Sequence, residues 1–246
     1  MIKQIYIFFR LFSLVFALLG GVFSYLIYKL TKGGSKGWKY LAIGAISISL
    51  WGLSQLVFII INIQVIRVAL SALFKFIFGV FILLGSIKLV EDMGIKKLNW
   101  LNTRNAIIYS FFVYFIFLIY NLLIPYENIL IEMDTITMVT NVFCLFPTSL
   151  NFYRLWKGTE IKKYAFLFLG SLGGFLGESL IPYIASACEN ISSYICTINP
   201  YEHAPVIPVM YIQPLVEFAL YADAVLLFAE SFFFLGFLLL WKVMKK

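Results

Sequence analysis

The sequence predicts an all-α polytopic membrane protein with seven transmembrane helices, an outside N-terminus and a cytoplasmic C-terminus. Three observations carry this. The mean hydropathy is +0.95, with 62% hydrophobic and 13% charged residues. A soluble domain runs near 25% charged, and a chain of 246 residues cannot hide so much apolar surface within itself. Seven apolar stretches each reach the roughly 20 residues that a bilayer core requires. The basic residues fall almost entirely in alternate connections, as the positive-inside rule demands.

The predicted spans, in order, are Ile5–Tyr28, Tyr40–Ile63, Arg67–Ile87, Ala106–Pro125, Thr135–Trp156, Tyr164–Ala185 and Pro214–Trp241. The first is too long for a signal-peptide core and lacks a small-residue cleavage site, so it counts as a span. Residues 1–246 form a single membrane domain, and the longest segment outside the membrane is an outer loop at 186–213.

Orientation follows from lysine and arginine. The connections after spans one, three and five, together with the C-terminal segment, hold fifteen of them, including Lys32, Lys97, Lys157 and Lys246. The opposite side holds three: Lys3, Arg10 and Arg67. Lys75 is the nineteenth and falls inside a span. The net charge of +7 is therefore a topology signal and not a nucleic-acid footprint. Acidic residues such as Glu127, Glu132, Glu189 and Glu202 populate the outer side, where screening within about 10 Å makes them ordinary translocated-loop residues.

In the outer loop, Cys188 and Cys196 are a candidate disulfide, since both face an oxidising exterior. Asn190 begins an Asn-Ile-Ser sequence between them and is a candidate glycosylation site. Pro200, Pro205, Pro208 and Pro214 are expected to keep the loop from forming a helix. Cys144 reads as a small core residue.

The chain also matches itself. Tyr28-Lys-Leu-Thr-Lys-Gly33 closes the first span, and Tyr153-Arg-Leu-Trp-Lys-Gly158 closes the fifth, at an offset of 125. The same offset pairs Gly52 with Gly177 and Ser54 with Ser179. The expectation is a parallel 3+1+3 repeat, with halves at 5–90 and 135–241 and a linker helix at 106–125.

The stretch FPTSLNFYRLWKGTE (146–160) followed by FLFLGSLGGFLGESL (166–180) resembles the PQ-loop and SWEET superfamily of transporters. In that superfamily a Pro-Gln pair in the first helix of each half precedes a basic loop and an aromatic-rich helix. The resemblance implies seven helices, N-out, in 3+1+3 order. The chain differs in carrying Thr148 after Pro147 and Val22 at the corresponding place in the first half. No substrate follows from the resemblance.

An ionisable residue at the bilayer centre costs about 2.5–3.5 kcal/mol on insertion scales, so such residues face the interior of a bundle. Counting from the cytoplasmic anchors at 1.5 Å per residue, Lys75 lies about 20 Å deep, Glu230 about 18 Å, Glu178 about 22 Å and Gln55 about 24 Å. These four share one layer, and Asp223 lies nearer the outer end of the last span. Together they are the candidate substrate-binding or proton-coupling residues. The simplest arrangement pairs Lys75 with Glu230 across the two halves. The alternative is a buried ion pair that only fixes helix register; one lysine for two glutamates leaves a carboxylate unpaired unless it is protonated. Gly170, Gly173, Gly174 and Gly177 have the small-xxx-small spacing that lets helix backbones approach closely.

The single histidine, His203, lies in the outer loop. That excludes bis-histidine haem, a histidine zinc site and a Ser–His–Asp triad inside the bundle. No phosphate loop or dinucleotide fingerprint occurs. The expectation is a protein with no catalytic residues, metal or cofactor, whose partners are the lipid bilayer and either copies of itself or other membrane subunits. Three functional classes fit: a small-solute transporter or facilitator with a polar site near the midplane, a non-catalytic subunit of a larger membrane complex, and a seven-helix sensor acting through a separate partner. The polar layer and the repeat favour the first.

Single cysteines substituted for Lys32, Lys97, Lys157 and Lys246 should all react with an impermeant thiol reagent from the same side of the membrane. Reaction of any two from opposite sides would break the seven-span topology.

Overall fold

A computed structural model describes residues 2–32, 34–61, 64–95, 103–123, 129–189 and 209–245. Side chains are described at 8–9, 11–32, 34–54, 70, 72–95, 105–112, 114–115, 119, 139–179 and 224–245. Among these residues the structure is all helical, with seven helices. They are α1 (Ile2–Leu30), α2 (Lys36–Ile61), α3 (Gln64–Asp92), α4 (Thr103–Leu123), α5 (Ile129–Thr159), α6 (Tyr164–Glu189) and α7 (Val209–Met244). Over its described residues, each expected span falls on one helix. The runs Leu11–Leu30, Ala72–Asp92 and Ala224–Met244 are long and apolar enough to cross a membrane, consistent with a membrane protein.

The helix ends lie where the local chemistry puts them. Ser35 caps α2 by accepting the Gly37 amide at 3.1 Å. Gly94, at φ 65°, terminates α3, and the Ile95 amide donates back to the Val90 carbonyl at 3.1 Å. Helix α6 continues to Glu189 and α7 begins at Val209, so both helices extend into the segment 186–213. One sequence expectation is corrected here. Pro214 lies within α7 and does not stop it. Proline fixes φ near a helical value, so close to a helix start its main cost is one backbone hydrogen bond.

Six helices form a closed ring in the order α1, α2, α3, α5, α6, α7 and back to α1, while α4 packs outside against α3 and α5. Glycines set the close crossings. At Gly37 a methyl group would stand 2.8 Å from the Gly85 carbonyl oxygen and 2.9 Å from the Leu89 amide nitrogen, so α2 meets the α3 backbone itself. At Gly170 it would stand 2.9 Å from both the Ala229 oxygen and the Phe233 nitrogen of α7. Gly173 and Gly177 also face α7, whereas Gly174 faces Leu145 of α5. The glycine pairs read from spacing thus divide between two neighbours.

The two parallel seams of the ring differ in chemistry. Between α1 and α7 it is aromatic: Phe16 stacks on Phe234 at 5.6 Å, and Phe23 meets Trp241 at 5.3 Å. Between α3 and α5 it is small and polar, with Asn151 Nδ2 donating to Ser86 Oγ at 3.0 Å. Outward residues such as Phe112 of α4, 62% exposed, give the bundle an apolar exterior.

Gly37→Ala and Gly170→Ala should each destabilise the protein by about 1–3 kcal/mol, because overpacking meets backbone that cannot swing aside. Gly174→Ala, whose added methyl group would meet only the Leu145 side chain at 3.5 Å, should be near neutral. Unfolding midpoints in detergent test the contrast; equal effects at all three would mean the crossings are looser than described.

Candidate functional site

The bundle is packed solid at its lysine-rich end. Trp38, near the start of α2, and Tyr164, at the start of α6, are fully buried and stack at 6.4 Å. Phe237 of α7 meets Trp38 edge-on at 6.4 Å, and Phe233 continues the run of rings to Phe152 of α5. The Tyr164 hydroxyl donates to Met93 Sδ at 3.6 Å, which ties the start of α6 to the end of α3. Ser24 Oγ donates to the Trp38 carbonyl at 2.8 Å and holds α1 to α2 at the same level.

Beyond this plug the six ring helices enclose a cavity. Helix α1 contributes Phe16, Ala17 and Gly20, and α2 contributes Ala45, Ile48 and Trp51. Phe78 and Ile82 come from α3 and Leu145 from α5. The remaining wall is Gly174 and Glu178 of α6, with Leu226, Ala229, Glu230, Phe233 and Phe237 of α7. Small residues on facing helices leave the space, and large rings bound it. Its volume is about 40 Å³ at the centres of the waters it can hold. One water needs about 10–15 Å³ on that measure, so roughly three fit.

Glu178 and Glu230 are the ionisable residues among the described residues of this lining. Glu178 is 3% exposed, and Glu230 is partly buried. Lys75 is 2% exposed and sits behind the wall, its Nζ 4.8 Å from the centre of the Trp51 ring. Trp51 thus presents ring surface to the cavity and to the ammonium group of Lys75. A desolvated contact of this kind is worth about 2 kcal/mol or more. The expected layer therefore has Glu178 and Glu230 on the cavity and Lys75 adjoining it through Trp51. Gln55 belongs to α2, Asp223 to α7 and Cys188 to the last turn of α6, but their side chains lie outside the described residues. Asn190 and Cys196 lie outside them altogether, and with them the expected disulfide and glycosylation site.

Two features were not foreseen from sequence. Trp51 carried no sequence signal that singled it out. Asn141 of α5 is fully buried against Gly79 of α3, and neither amide atom makes a hydrogen bond among the described residues. A methyl group on Gly79 would stand 2.6 Å from Asn141 Oδ1, so glycine is what lets this amide lie against α3. Among the described residues no group of three or more histidine, cysteine or acidic side chains is placed to hold a metal ion.

Trp51→Ala should destabilise the protein by about 3–5 kcal/mol, since it opens a void and removes the ring beneath Lys75. Trp51→Phe should retain most of the stability by keeping a ring face. Equal unfolding midpoints for Trp51→Ala and the parent would refute the contact. No family model matches the chain, and no curated protein or solved structure matches it.

Proposed function

We propose that the chain is a small-solute transporter or facilitator whose binding site is the cavity walled by Glu178 and Glu230. The observation that carries this is the placing of two carboxylates in a space enclosed by six helices and closed at one end by packed rings. Burying a carboxylate is costly. A structural bundle would gain as much from apolar packing at both positions. A solute site needs polar groups at the middle of the path and a seal at one end, which is the arrangement of the cavity above the Trp38–Tyr164 plug.

In this reading all seven helices span the bilayer, with the N-terminus outside and the lysine-rich end in the cytoplasm. The order of the ring supports a duplicated origin. Replacing α1, α2 and α3 by α5, α6 and α7 returns the same cyclic order, with α4 left as a linker. The connections after α1 and α5 also each use a non-glycine residue in the left-handed region, Lys32 at φ 49° and Glu160 at φ 57°. Trp38 and Tyr164 occupy neighbouring places in the two halves and stack on one another, a contact that a twofold arrangement would allow.

Proteoliposomes containing the full chain should pass at least one member of a panel of small neutral, anionic and cationic solutes at ten or more times the rate of empty vesicles. Glu178→Gln should insert and remain folded yet lose most of that flux. Flux of no panel member, together with a stoichiometric co-purifying membrane protein, would replace this reading with that of a complex subunit.

A further inference from the structure

The chemistry of the cavity narrows what it accepts. Apart from Glu178, Glu230 and the Trp51 indole, the described residues of its walls carry no polar side chain. A sugar or other polyol needs several directional donors and acceptors to replace its lost water, and the described walls offer two carboxylates and one indole N–H. An anion would face two carboxylates at short range. A metal ion draws on a larger set of oxygen ligands than two carboxylates supply, since helical carbonyls are committed to the backbone ladder.

A compact organic cation meets none of these obstacles. Carboxylates bind an ammonium group by charge-assisted hydrogen bonds. Phe16, Trp51 and Phe233 line the same space, and aromatic rings attract alkylated ammonium groups. Among the described residues, two carboxylates line the cavity and one ammonium group adjoins it. Arg10 is six residues before Phe16, about 9 Å further along α1. Room for about three waters, at about 30 Å³ of liquid each, suits a cation of a few heavy atoms.

From the pairing of two carboxylates with aromatic rings in one enclosed space, we infer that the cavity binds a small alkylammonium cation. This rests on the cavity being the solute site, and binding and transport are measured separately. The purified full chain is titrated calorimetrically with methylammonium, glucose, acetate and calcium at matched ionic strength. Saturable methylammonium binding is expected, weakened at least tenfold in Glu178→Gln and in Glu230→Gln, with none for glucose or acetate.

A second measurement avoids reliance on variants that fail to fold. An apolar carbodiimide should label Glu178 or Glu230 in the unsubstituted protein, and methylammonium should protect that residue, as read by peptide mass. Absent binding, undiminished binding in both variants, unprotected labelling, or tighter binding of glucose, acetate or calcium would each overturn the inference. Methylammonium binding without flux would reject transport and leave the site. Flux of a neutral solute without methylammonium binding would reject the cation and leave transport.

Discussion

A carboxylate drawn out of water loses hydration worth several kcal/mol, and an apolar bundle has few means of replacing it. Glu178 on α6 and Lys75 on α3 are both almost wholly enclosed, with Glu230 partly so on α7. The rest of the arrangement accommodates that constraint. The ring of helices brings three ionisable side chains from three different helices around one small space. Trp51 gives the lysine a ring face in place of water. On the opposite side of the plug the charged groups reach solvent, as at Lys88, which pairs with Asp92 at 2.9 Å.

Close packing at the lysine-rich end and looser packing beyond it follow from residue size. Glycine at positions 37, 85, 170 and 177 lets backbones or bulky side chains of neighbouring helices approach closely. Trp38, Tyr164, Phe152 and Phe237 fill the axis below. Between them, Ala17, Gly20, Ala45, Gly174 and Ala229 face one another and cannot fill the width of a six-helix ring. The cavity is thus the remainder left when small residues meet at one level and large ones at the next.

The helices were legible because each is a long apolar run bounded by basic or turn residues, a signal that survives without knowledge of neighbours. That Lys75, Glu178 and Glu230 lie near one level of the bundle was legible for the same reason, since 1.5 Å per residue places a residue along a helix axis. What was not legible depends on rotation and partner choice. Spacing alone could not assign Gly174 to α5 and Gly170 to α7, because both lie on one crowded helix. Nor could it show that Lys75 lies over Trp51, or that Trp38 and Tyr164 meet, because those contacts join helices far apart in sequence. The proline-rich run before α7 misled about its start, since Pro214 is tolerated within the helix.

The seam between α1 and α7 has a consequence for biosynthesis. Phe16 and Phe234 touch across 218 positions of chain, so the ribosome releases one face of this contact long before the other exists. During that interval lipid tails can stand in for α7 against Phe16 and Phe23, being equally apolar. They are a poor substitute beside Glu178, where the unfinished ring leaves a carboxylate facing an open side. The arrival of α7 closes that gap and carries Glu230 into the same enclosure. The costliest burial in the protein is thus deferred until the helices that share it are all present.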